Sequence, residues 1–119
     1  MEIRSLESAE AFTTSDGSTI RELLGLPTSS LVRNQSLAEA LLVPGQSTVR
    51  HYHLDSEEIY FLLEGAARIE VDGEERDVGP GDAILISPGS WHQITAGADS
   101  VRFLCMCAPP YSNDDTYFA

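Results

Sequence analysis

The chain has 119 residues, enough for one hydrophobic core and too few for two of ordinary size. With 42% hydrophobic and 22% charged residues, its composition is that of a folded domain and excludes general disorder. Nineteen acidic residues against seven basic ones give a formal net charge of -12, which repels nucleic acid and anionic lipid and argues against both as partners.

In chain order, Met1-Glu2-Ile3-Arg4-Ser5 has no basic region leading into an apolar stretch, so no secretory signal is expected. No apolar run reaches the roughly 18–20 residues of a membrane span, and a cytoplasmic address is the expectation. From Ser18 to Ala108, short runs rich in β-branched and aromatic residues alternate with turn signals, an all-β rhythm. Strands are predicted near 18–24, 31–43, 46–53, 58–63, 66–71, 74–78, 82–87, 91–97 and 100–107. Within the second of these, Leu37-Ala38-Glu39-Ala40-Leu41-Leu42 also suits a helix, but Pro44-Gly45 cuts it short and strands surround it. The clearest hairpin joins Ala67–Val71 to Glu74–Val78 through Asp72-Gly73, a favoured two-residue turn because both positions tolerate positive φ. So many short strands with tight turns imply a sandwich or barrel. The chain is read as a single domain over 1–119, with an irregular tail over 109–119.

Cys105 and Cys107 alternate on an apolar strand. They are expected to be small buried hydrophobes, because a bridge between such close positions would close almost no loop. If they face inward, a soft or oxidisable ligand stands near whatever the barrel holds.

All three histidines fall in two short segments. On a strand, His51 and His53 project to one face while Tyr52 projects to the other. After the polar turn Leu54-Asp55-Ser56-Glu57, Glu58 opens an apolar strand that can return its carboxylate from an antiparallel neighbour. His92 begins another strand after Pro88-Gly89-Ser90-Trp91. Three imidazoles and a carboxylate form a nitrogen and oxygen donor set suited to one divalent ion: Fe, Mn, Co, Ni, Zn or Cu. By strand parity Tyr60 shares the face of Glu58 and is the candidate catalytic residue, as proton donor or substrate contact. Val49 shares the face of the two histidines and should line the barrel. Arg50 and Tyr52 face away, and Trp91 is a candidate for the pocket rim or for plain aromatic packing.

These segments resemble the two motifs of the cupin superfamily. In the first, Gly45 is followed after five residues by His51 and His53, then Glu58 after four, then Gly65 after six. In the second, Gly81 leads to Ser87-Pro88-Gly89 and His92, with Ser87 in the usual Pro place and Ala96 in the usual Asn place. The resemblance spans about 31–108 and implies a small single-domain cupin. It further implies a double-stranded β-helix (jelly-roll) barrel with one divalent metal ion on His51, His53, Glu58 and His92, and family habit adds a homodimer. For function it implies a metal-dependent enzyme acting on a polar small molecule, of oxygenase, isomerase, lyase or similar type. The alternative is a module that binds or senses a small molecule without turnover. The segment from Cys105 to Thr116, together with His51-Tyr52-His53, is also similar to cupin domains associated with zinc-dependent nitrogen–nitrogen bond formation in hydrazine synthesis.

Overall fold

A computed structural model describes residues 1–119. It contains strands and short 3₁₀ turns but no α-helix, and no helix is long and apolar enough to cross a membrane. The strands are β1 (Phe12–Thr13), β2 (Thr19–Leu24), β3 (Ser36–Leu42), β4 (His51–His53), β5 (Glu57–Glu64) and β6 (Ala67–Val71). They continue with β7 (Glu74–Val78), β8 (Ala83–Ile86), β9 (His92–Ala96), β10 (Val101–Ala108) and β11 (Thr116–Phe118). Two antiparallel sheets result, a six-stranded one in the order β1-β2-β3-β10-β5-β8 and a five-stranded one in the order β11-β4-β9-β6-β7. This is the expected all-β jelly roll.

The period-two alternation of each strand builds the interior. Across the larger sheet, register aligns Ile20, Ala40, Phe103 and Leu62 in one inward row, with Glu22, Ala38, Cys105 and Tyr60 in the next. Ser36, Cys107, Glu58 and Ile86 form a third. The smaller sheet answers with Ala67 opposite Ala96 and Ile69 opposite Ile94. Leu42, Leu62, Ile94, Val101 and Phe103 are each at most 1% exposed. Burying such a side chain stabilises the fold by about 1.5–3 kcal/mol. Apolar rows thus form one end of the interior, and rows bearing polar groups form the other.

Gly65 shows how tightly the end of β5 meets the start of β10. A Cβ at this position would lie 2.1 Å from the Ser100 carbonyl oxygen, and its φ of +80° lies in the left-handed region. The Asp72-Gly73 hairpin turn is present with both φ values positive.

Several boundaries differ from the sequence expectation. Residues 31–35 are not strand, because pairing of β2 with β3 ends at Leu24 opposite Leu37, and the Leu31 amide bonds to the Glu2 carboxylate instead of a neighbouring strand. Residues 46–50 form only an isolated bridge from Ser47 to Thr95. The Val49 amide turns away to the Asp16 carbonyl, which breaks the parity assumed there. The tail is not irregular. After a 3₁₀ turn at Asn113–Asp115 it forms β11 and pairs with β4, covering what would otherwise be an open sheet edge.

Candidate metal centre

Four side chains of the interior polar end converge. Strand β4 aims both imidazoles inward, and register places His51 directly opposite His92 of β9. Glu58 lies on β5 in the other sheet, so its carboxylate crosses the barrel rather than coming from a strand paired with β4. The turn Leu54–Ser56 carries the chain from one sheet to the other. One donor atom from each of the four lies within 4.8 Å of all the others, and the four residues are at most 4% exposed.

The unoccupied valences point to an ion. Nε2 of His53 and of His92 come within 3.2 and 3.3 Å of Glu58 Oε1. Yet Glu58 Oε1 and His92 Nε2 have no hydrogen-bond partner of acceptable geometry despite complete burial. Buried polar atoms rarely remain unpaired, and donors facing one another across a common point are what a coordinating cation satisfies. The Nδ1 atoms are all engaged from behind: His51 with the Val49 carbonyl at 2.6 Å, His92 with the Ser90 carbonyl at 2.9 Å, and His53 with Thr116 Oγ1 at 3.1 Å. Because the Thr116 hydroxyl donates to the Ser112 carbonyl, it accepts from His53. Each Nδ1 therefore carries the proton, which leaves Nε2 as a lone pair facing the centre.

Electrostatics agree with that arrangement for His51 and Glu58, while at His53 the carboxylate favours the protonated ring until a cation takes the place of that proton. Burial lowers the His51 pKa and the neighbouring His92 adds to the effect, favouring the neutral ring. Burial acts the same way on His53, but Glu58 outweighs it and leaves the pKa raised. For Glu58, burial alone would raise the carboxyl. His53 and His92 overcome it and hold the group well below the usual carboxylate range, so it is an anion.

Three of the four, His51, His53 and Glu58, line an interior cavity of about 50 Å³. Tyr60 lines it as expected, 3% exposed, with its ring against Phe103 and His92. Burial, reinforced by Glu58, keeps its hydroxyl protonated well above the ordinary tyrosine range. Both cysteines face this cavity as free thiols, and the Cys107 thiol donates to Glu58 Oε2 at 3.2 Å. Burial and the Glu58 charge push both thiol pKa values up, which keeps them unreactive.

One expected neighbour lies elsewhere, and Trp91 takes the packing role that was its other expected place. Val49 is 44% exposed and does not line the barrel, since the strand begins only at His51. Trp91 packs on the outer surface against Tyr52, with the Arg50 guanidinium over its ring, rather than at the cavity rim. Arg50 and Tyr52 do face away, and Tyr52 stacks on Tyr117 of β11.

Sequence reasoning missed Asp16, Glu22, Tyr111 and Thr116. Asp16 Oδ1 accepts from Thr14 and Ser18, while Oδ2 lies 4.0 Å from His51 Nε2. Tyr111 lines the cavity beside His53, and burial pushes its hydroxyl up to about 12. Asp115 accepts from the amides of Asp55 and Ser56 and so pins the turn between His53 and Glu58. The tail carried no metal-ligand spacing. Its one available signal was Ser112-Asn113-Asp114-Asp115-Thr116, a turn-forming run followed by the β-prone Thr116-Tyr117-Phe118.

Comparison with known proteins finds a family and several relatives. A family model described as a cupin domain matches residues 38–107. The uncharacterized protein MJ1618 of Methanocaldococcus jannaschii is 42% identical over 111 residues, covering 92% of this chain and 88% of that protein. The tetracenomycin polyketide synthase protein TcmJ of Streptomyces glaucescens is 33% identical over 78 residues, 66% of this chain but only 52% of its own length. Among solved structures, the polyketide cyclase RemF from Streptomyces resistomycificus superposes with a TM-score of 0.79 at 26% identity, covering 97% of this chain and 89% of that one.

Proposed function

The chain belongs to the cupin domain family, and from that premise we propose that it is a metal-dependent enzyme acting on a polar small molecule within the barrel. The observation that carries the reading is the convergence of His51, His53, Glu58 and His92 beside an interior cavity, with Glu58 Oε1 and His92 Nε2 buried and without partners. These four residues would hold one divalent ion of the Fe, Mn, Co, Ni, Zn or Cu series. When bound, such an ion supplies Lewis-acid polarisation and acidifies water in the positions the four ligands leave open.

The remaining chemistry falls to other side chains, because all three histidines are engaged. Tyr60 keeps its proton and presents it to the cavity as a hydrogen-bond or proton donor. Asp16, anchored through one oxygen by Thr14 and Ser18, presents the other toward the cluster as a proton acceptor. Rows of Ile20, Ala40 and Phe103 close the inner end to water. An enzymatic reading is supported by RemF, described as a polyketide cyclase, a small-molecule activity.

Pairing as a homodimer is supported by the outer face of the larger sheet, where Met106, Ile59 and Leu85 align in one row and the last two are 37% and 59% exposed.

Metal analysis of purified protein tests the reading. About one ion per chain is expected, with most of it lost in His51→Ala and His92→Ala. Equal metal content in wild type and both variants would overturn the site. Metabolite extracts incubated with metal-loaded protein and with His92→Ala should then differ in a consumed compound. Retention of a compound without its consumption would instead favour a binding or sensing module.

A further inference from the structure

One acidic group of the cavity plays no part in the four-residue cluster. Glu22 lies on β2, three strands from Glu58 across the larger sheet, about 14 Å along it at about 4.8 Å per strand. It shares the inward row of Ala38, Cys105 and Tyr60 and lines the same cavity. The residue is 7% exposed, and its Oε1 is sealed from solvent with no hydrogen-bond partner. Together with Phe12 it also borders a surface cleft beside the N-terminal segment, where Arg4 and Thr28 stand on the outer side. Glu22 therefore stands between the interior and an outer opening.

The fold makes room for this carboxylate. A Cβ on Gly25 would lie 1.9 Å from Glu22 Oε1 and 2.9 Å from its carboxyl carbon. The backbone there is extended, with φ of 178°, so the glycine provides space rather than an unusual conformation.

Burying a carboxylate without a cation or donor is costly, and stability alone does not explain it. Burial pushes the Glu22 carboxyl up to about 7. The cavity is lined by Asp16, Glu22 and Glu58 and by no lysine or arginine, so nothing in the protein pairs with Glu22 and a cationic group on a ligand supplies what is missing.

We propose that Glu22 recognises a protonated amine on the small molecule that the barrel accepts, while the other end of that molecule reaches the His51, His53, Glu58 and His92 cluster. The inference rests on the reading of the barrel as a small-molecule site and assigns its substrate class: small and amine-bearing.

The test is an NMR titration of ¹⁵N-labelled, zinc-loaded protein with 3-amino-1-propanol and with 1,3-propanediol, which differ only in the amine. Wild type should bind the amino alcohol about tenfold more tightly, the worth of one charge-assisted hydrogen bond. Glu22→Gln should erase that preference while keeping the same zinc content. If Glu22→Gln fails to fold, Gly25→Ala takes its place, since its methyl displaces the carboxylate without removing the charge, and it too should lose the preference. An undiminished preference in the folded variant overturns the proposal, as does a wild type with no preference or no binding of either compound. Zinc content is measured separately in wild type and His92→Ala. A protein that takes up no zinc overturns the metal reading, and the amine preference of that same protein still decides the role of Glu22.

Discussion

Replacing Thr116 with Val tests whether the tail orients a ligand from behind. The two side chains have nearly the same shape, and Val suits a strand, so pairing of β11 with β4 should survive. The hydroxyl that accepts from His53 Nδ1 at 3.1 Å is lost. Because His53 is 4% exposed, no bulk water replaces it. Leaving a buried N–H without an acceptor costs about 1–3 kcal/mol. If the proton moves instead to Nε2, the ring no longer offers a lone pair to the centre, and metal affinity should fall by about 10–100-fold. Competition titration of zinc against a chromophoric chelator measures the affinity, and long-range ¹H–¹⁵N NMR of metal-free protein reports the tautomer directly. Thr116→Ser should behave as wild type. A Thr116→Val protein with affinity within about twofold of wild type and an unchanged His53 tautomer would refute the argument.

Other outcomes follow from the same geometry. Glu22 has its carboxyl raised to about 7 in the fold against 4.5 for the ordinary group, so the folded state holds this proton more tightly. Its contribution is most favourable below about pH 4.5 and is lost as pH rises through about 7. Glu22→Gln should therefore gain on wild type across that window, by about 1–2 kcal/mol once screening through its accessible second oxygen is allowed for. Parallel pH-dependent melting curves for the two proteins would refute this. Gly65→Ala should destabilise the fold by at least about 2 kcal/mol in urea unfolding, through positive-φ strain and collision with the Ser100 carbonyl. A neutral result would mean that β5 and the Ser100 turn separate easily. Tyr60→Phe should leave metal content unchanged, because its hydroxyl is outside the four-donor group. A drop would make it a ligand.

The sequence disclosed the barrel and the four-residue cluster for a local reason. His51, His53 and Glu58 lie within one strand–turn–strand segment, and His92 follows its own turn, so spacing alone carries their relation. Pairing across the fold was not legible. That Glu58 belongs to the opposite sheet depends on where Leu54–Ser56 turns, and that the tail closes on β4 depends on an edge needing cover. Parity misplaced Val49 because parity presumes a continuous strand, and with its amide bonded to the Asp16 carbonyl the strand begins only at His51. Asp16 and Glu22 share no spacing with the histidines. They reach the cavity through sheet order alone, which the sequence does not print.

The three imidazoles are not equally exposed to mutation. His51 and His92 each lean on a main-chain carbonyl two residues earlier, Val49 and Ser90, an acceptor that every residue type supplies. Substitutions at 49 or 90 can accumulate without changing which nitrogen faces the centre. His53 leans on a hydroxyl 63 residues away, which a single-codon change removes. Genetic drift would therefore leave two imidazoles untouched and act through the third, making position 116 the place where selection could adjust how firmly the proposed ion is held.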